Sequence, residues 1–124
     1  MDILYIGLGG FLGAISRFLA ASFMHRLLGT AFPYGTLFVN VLGTFALCFF
    51  LPVSLQVYNI PPNLRSAVTV GFCGAFTTFS TFSFETLSLI QDGYNFMALL
   101  NICANMFLCL VSGWLGFSLS RLIT

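Results

Sequence analysis

The stretch GFCGAFTTFSTFSFE, residues 71–85, sets the hydroxyls of Thr77, Thr78, Ser80, Thr81 and Ser83 around two phenylalanines, Phe79 and Phe82, and ends on Glu85. Its surroundings are apolar. The other strongly polar side chains within long apolar runs are Arg17, Asn40, Asn101 and Asn105. No Ser-His-Asp set, phosphate loop or zinc-type spacing accompanies them, so an enzyme is not expected. Hydrogen-bond donation and ring electrostatics are the chemistry available. An aromatic ring has a negative face and a positive edge. Faces attract cations, whereas edges can receive an anion, and an anion stripped of water also needs N–H or O–H donors. Asn40, Ser80 and Thr81 can supply those donors. On spacing alone, Phe79 and Phe82 fit plain helix packing as well, since residues three apart share a helix face. A single Asn or Thr would be explained by interhelical hydrogen bonding, worth roughly 0.6–2 kcal/mol. Polar groups spread over several apolar runs argue instead for a functional polar path, because their burial in lipid is costly.

The elements that must carry these residues follow from the solvent. Of 124 residues 59% are hydrophobic and 6% charged, with sixteen phenylalanines. A soluble domain of this size needs far more polar surface, so the composition marks an integral membrane protein. Four apolar blocks stand out: Ile3–Met24, Phe38–Leu55, about Ser66–Ile90, and Phe96–Leu119. Each is long enough to cross a ~30 Å hydrocarbon core as a helix, and none alternates as a barrel strand would. The expected fold is therefore all-α, with four transmembrane helices in one domain over residues 1–124 and no separate soluble part. The first block has Asp2 and no basic leader, which argues against a cleaved signal peptide. Gly71 and Gly74 weaken the third helix where Thr77 and Thr78 can satisfy freed backbone groups, so a break is expected near 74–78. Such breaks are tolerated at membrane depth only where they are buried or line a cavity.

The small residues and charges bear on assembly. Gly9 and Gly13 in the first block, and Gly113 and Gly116 in the fourth, permit close backbone approach. Cys48, Cys73, Cys103 and Cys109 have no metal-clip spacing and read as small buried hydrophobes. His25, beside Arg26, reads as an interfacial residue at a helix end. With Arg17 inside the first span, Arg65 and Arg121 face one side and Arg26 the other, a feeble positive-inside bias. A chain with so little bias can insert both ways round, and opposite copies would pair about a two-fold axis. Nothing points to nucleic acid as a partner; membrane lipid is the expected environment.

The motifs GTLFVN at 35–40 and GFCGAFTTFSTFSFE at 71–85, with the Gly13…Arg17 spacing and the four-span length, resemble those of the Fluc (CrcB) fluoride channels. The resemblance covers essentially the whole chain. It implies a fluoride-selective passive channel in the cytoplasmic (inner) membrane, exporting fluoride and conferring resistance to it, built as a dual-topology antiparallel homodimer. By the same resemblance, Phe79 and Phe82 flank fluoride with their edges and Asn40 donates an N–H to it. Ser80, Thr81 and Glu85 form the polar side of the pore, and Arg17 draws anions toward a vestibule. The backbone carbonyls of Gly74 and Thr77 would hold a structural Na+ at the dimer centre. Relatives carry Tyr and Ser on the pore-facing stripe of the fourth span, where this chain has Asn101, Asn105 and Cys109 at four-residue intervals. Amides can still donate.

Two other classes compete. A proton-coupled small multidrug-type exporter also has four spans and can pair in opposite orientations, but it needs a carboxylate deep in the first span, which this chain lacks. An assembly or anchor subunit would leave the polar groups unexplained.

Overall fold

The computed structural model describes residues 2–57 and 59–124. Over these it is helical throughout, with α1 (Asp2–Leu28), α2 (Tyr34–Gln56), α3 (Pro62–Ser66), a π-helical stretch (Ala67–Cys73), α4 (Gly74–Phe76), α5 (Phe79–Gln91) and α6 (Asn95–Ile123). Four of these helical lengths, 2–28, 34–56, 62–91 and 95–123, are apolar and long enough to span a membrane. Each outruns its apolar block by about one turn at one end, because backbone hydrogen bonding does not stop where the hydrocarbon does. His25 and Arg26 therefore lie in the last turn of α1, where the Arg26 cation suits the helix dipole.

Local chemistry ends the helices. Gly29 at φ +90° closes α1, with its N–H donating to the His25 carbonyl at 2.8 Å. Gly93 at φ +87° does the same after α5, donating to Ile90 at 3.1 Å. A side-chain-bearing residue avoids this left-handed geometry. Pro62 opens α3 at its first turn, where its missing N–H costs nothing.

The third span is not a uniform helix. It runs as α3, then seven residues of π-helix, then one turn of α-helix, and breaks at Thr77 (φ −89°, ψ 161°) and Thr78 (φ −154°, ψ 120°), both extended. The break lies within the expected segment but falls on the threonines alone. Gly71 and Gly74 remain helical. Thr78 restarts the chain as the N-cap of α5, its hydroxyl accepting the Thr81 N–H at 3.1 Å.

Close backbone packing holds the bundle. α1 lies along the π-helical stretch and α4, α2 along α6, and α5 against α6. A Cβ on Gly9 or Gly13 would fall on the main chain of Ala67 or Phe72, and one on Gly71 would come 2.5 Å from the Ile6 carbonyl oxygen. On the other side, a Cβ on Gly116 would sit 2.7 Å from the Phe45 carbonyl oxygen. Both glycine pairs read from the sequence thus serve packing within one chain, in keeping with helix association in lipid.

The interior is as polar as it is apolar. Val39, Val53, Cys73, Phe76, Phe82 and Ala98 are buried, but so are Thr36, Ser54, Thr78, Thr86, Asn101 and Asn105. The outer surface carries Phe11, Phe18, Phe84, Phe107 and Leu110, all largely exposed. Such a shell belongs against lipid tails rather than water. Of the four cysteines only Cys73 is buried, and Cys103 is exposed on the outer face, which corrects the expectation that all four are interior.

Candidate functional site

The break in the third span leaves two kinds of backbone group without helical partners. Upstream, the Thr78 N–H that would have returned to the Gly74 carbonyl donates instead to Asn40 Oδ1 at 2.8 Å. The Gly74 carbonyl thus loses its helical partner, and the carbonyls of residues 75–77 lie where a continuous helix would have supplied theirs. Downstream, the first N–H groups of α5, at Phe79 and Ser80, have no intrahelical acceptor. One break thus presents carbonyl oxygens suited to a cation and N–H groups at a positive helix end suited to an anion.

Asn40 pins this geometry from α2. Its Oδ1 accepts from Thr78, and its Nδ2 donates to the Thr78 carbonyl at 3.2 Å and to Asn105 Oδ1 at 3.1 Å. Asn105 Nδ2 in turn donates to Asn101, at both the carbonyl and Oδ1, each 2.9 Å away. Asn101 Nδ2 donates to Thr86 Oγ1 at 2.9 Å, and that hydroxyl donates to the Phe82 carbonyl at 2.8 Å. A continuous run of hydrogen bonds therefore joins α2, the break, α6 and α5.

Two cavities flank the break and share Thr78 as a wall. The first, about 260 Å³, gathers Asn40, Thr77, Phe79, Phe82, Asn105 and Cys109, with Thr44 beside them. The Phe79 and Phe82 ring centroids lie 5.5 Å apart with the planes tilted by 51°. Phe82 is buried, whereas Phe79 is 70% exposed and so is free to meet a neighbouring molecule or lipid. The second cavity, about 310 Å³, brings Arg17, Thr81 and Glu85 together with Ser22, His25 and Thr36.

Of the residues singled out in the sequence, the first cavity collects Phe79, Phe82, Asn40, Asn105 and Thr77, and the second collects Arg17, Thr81 and Glu85. Ser80 lines neither; it is exposed at the start of α5 with its hydroxyl 3.3 Å from that of Thr78. Asn101 also lines neither and is fully buried behind Asn105. Gly74 is exposed on the helix surface, and a Cβ there would meet nothing closer than the Thr69 carbonyl oxygen at 4.0 Å.

Thr36, Thr44, Thr86 and the inward placement of His25 are not singled out by the reading of the sequence above. Thr36, Asn40 and Thr44 stand at four-residue intervals, which marks one face of α2. That signal was available. His25 is more than a membrane-surface residue: its Nε2 is buried without a hydrogen-bond partner among the described residues, as is Glu85 Oε1 in the same cavity.

The family model described as CrcB-like protein, Camphor Resistance (CrcB), matches residues 4–117. The chain belongs to the CrcB-like family. Among curated members, the Fluoride-specific ion channel FluC of Citrifermentans bemidjiense is 42% identical over 120 residues, 97% of each chain. The protein of the same name from Magnetococcus marinus is 44% identical over 123 residues, covering 99% of this chain and 100% of the other. That of Campylobacter lari is 48% identical over 116 residues, 93% of each. Family membership extends over both cavities and over all four spans, so the whole site described above lies in the matched region.

Proposed function

We propose that this chain is a fluoride-specific ion channel, a multi-pass protein of the cytoplasmic membrane that lets fluoride leave the cell and so confers resistance to it. The observation that carries this reading is the cavity where Phe79 and Phe82 meet Asn40 at the broken third span. It brings together, for a small anion, ring edges, the Asn40 amide and the positive end of α5, in a low-dielectric interior where each counts for more than in water. Full-length similarity to proteins named as fluoride-specific channels supports the choice of ion.

In this reading Arg17 raises the local anion concentration at the second cavity, and Ser80, Thr81 and Glu85 form the polar wall that passes the ion between that cavity and the rings. Asn40 donates beside Phe79 and Phe82, with Asn105 lining the same cavity on α6 and Asn101 held behind it. Selectivity over chloride comes from replacing the hydration shell only for the smallest halide. The functional unit is a dual-topology homodimer. The exposure of Phe79 supports a second copy completing the pore. A Na+ at the dimer centre fits the chemistry of the break, whose Gly74 and Thr77 carbonyls are hard oxygen donors. Its charge would hold two facing breaks together as a structural ion.

The rival is a proton-coupled small multidrug-type exporter. Its expected carboxylate is missing from the membrane interior of α1, whose one acid, Asp2, lies at the helix start. Fluoride-loaded proteoliposomes separate the readings. Fluoride efflux is expected without a proton gradient, with no chloride efflux and no movement of a lipophilic cation. Cation transport driven by protons, with no fluoride efflux, would replace the channel by the exporter.

A further inference from the structure

Asn40 is fully committed before any ion arrives. A side-chain amide has two N–H donors, and both are used, on the Thr78 carbonyl at 3.2 Å and on Asn105 Oδ1 at 3.1 Å. The first bond belongs to a reciprocal pair, since Thr78 N–H returns to Asn40 Oδ1 at 2.8 Å. Breaking it would unpin the helix break. The second bond has no such reinforcement and opens onto the cavity that Phe79 and Phe82 share.

The orientation of the Asn105 amide is set from behind. Turning it over would place its nitrogen against Asn40 Nδ2 and its oxygen against the Asn101 carbonyl and Oδ1, exchanging three hydrogen bonds for like-with-like contacts. Asn101 is held in the same sense because its Nδ2 donates to Thr86 Oγ1 at 2.9 Å. The Thr86 hydrogen is spent on the Phe82 carbonyl at 2.8 Å, leaving only its lone pairs for Asn101. Direction is thus transmitted from the main chain under one of the two rings to the Asn105 oxygen that faces Asn40.

Resting on the reading of Asn40 as the fluoride donor, we propose that Asn105 is a positioning and specificity-determining residue whose Oδ1 competes with the permeating anion for the Asn40 N–H. In the empty path Asn105 holds that N–H at the wall of the cavity the two residues share. An arriving fluoride takes the N–H and Asn105 withdraws; as fluoride leaves, Asn105 takes it back. The exchange trades one N–H···O bond for one N–H···anion bond, so the ion is neither held too long nor refused. Chloride, larger and a weaker acceptor, does not compensate for the displaced amide bond. Asn101 and Thr86 contribute by keeping the Asn105 oxygen, rather than its nitrogen, toward Asn40.

The test is the dependence of efflux rate on fluoride concentration in proteoliposomes of the full-length chain. Asn105→Leu removes the competitor, and Asn105→Ser gives a smaller change for use if the leucine variant does not assemble. A competitor's loss lowers the half-saturating fluoride concentration by about fivefold, the scale of one hydrogen bond, and lowers the maximal rate because the ion leaves more slowly. Thr86→Val shifts it the same way by less, and Thr86→Ser restores the parent value. An unchanged half-saturating concentration in the assembled Asn105 variant would reduce Asn105 to a structural role. A raised one would make it a direct ion ligand, and either result overturns the proposal. Asn40→Ser is measured alongside. If it keeps the parent's half-saturation, the donor reading of Asn40 fails; if it does not and Asn105→Ser is unshifted, only the competition fails.

Discussion

Phe82→Ile lowers fluoride efflux from proteoliposomes by roughly a hundredfold, and Phe79→Ile does so to a similar degree, with the assembled protein intact in both. Isoleucine keeps the apolar bulk but has no ring quadrupole, so the positive edge is lost while packing is largely kept. Phe82 is buried, and isoleucine, smaller by about one methylene group, costs roughly 1–2 kcal/mol of stability there. Phe79 is 70% exposed in the single chain, and its substitution removes little intrachain packing. If the anion–edge contact is on the scale of a desolvated cation–π contact, it is worth about 2 kcal/mol or more, and tenfold in rate corresponds to about 1.4 kcal/mol. Losing one ring edge and the register of the tilted pair together accounts for the expected fall. Efflux and size-exclusion profiles are measured on the same preparations. Parent-level efflux from both variants would remove ring edges from the mechanism.

Asn40→Asp is expected to abolish efflux, while Asn40→Ser retains part of it. The aspartate keeps the shape but replaces Nδ2 by an oxygen. That oxygen would face the Thr78 carbonyl, where the amide stands at 3.2 Å, and Asn105 Oδ1, where it stands at 3.1 Å. Two hydrogen bonds become two acceptor–acceptor contacts, and a negative charge repels fluoride in a low-dielectric path. Serine loses the same bonds but adds no charge and keeps one O–H donor. Efflux from the three proteins at matched reconstitution density checks the order parent, Ser, Asp. An Asn40→Asp channel running at the parent rate would mean that Asn40 does not face the ion.

What the sequence made legible and what it hid divide along physical lines. The four spans were readable because lipid demands about twenty apolar residues in a row, a signal that tertiary contacts cannot blur. The break was readable in outline, since a threonine pair after closely spaced glycines offers hydroxyls to freed backbone groups. Its true cause lies elsewhere: Asn40, 38 residues upstream of Thr78, captures the Thr78 N–H through a contact no local pattern encodes. The π-helical stretch before it was also hidden. There the helix widens while packed against Gly9 and Gly13 of α1, a tertiary effect on a sequence with ordinary helical periodicity. Their spacing marks Asn101 and Asn105 as one stripe of α6 but does not show that Asn101 stands behind Asn105 and reaches Thr86. Spacing gives the face of a helix and not the depth of each residue on it. His25 lies in the last turn of α1, the helix end its place after an apolar block implies, and it also lines the second cavity with Glu85, which no local pattern encodes.

The central claim is passive, fluoride-selective conduction, and a reversal potential tests it most directly. The protein is placed in a planar bilayer with a tenfold fluoride gradient, while sodium and proton gradients are set in the opposite direction and then removed. A fluoride channel reverses at about 59 mV for that gradient, the value for one charge per ion, whether or not the other gradients are present. A reversal potential that moves with the sodium or proton gradient, or that follows chloride, would contradict it.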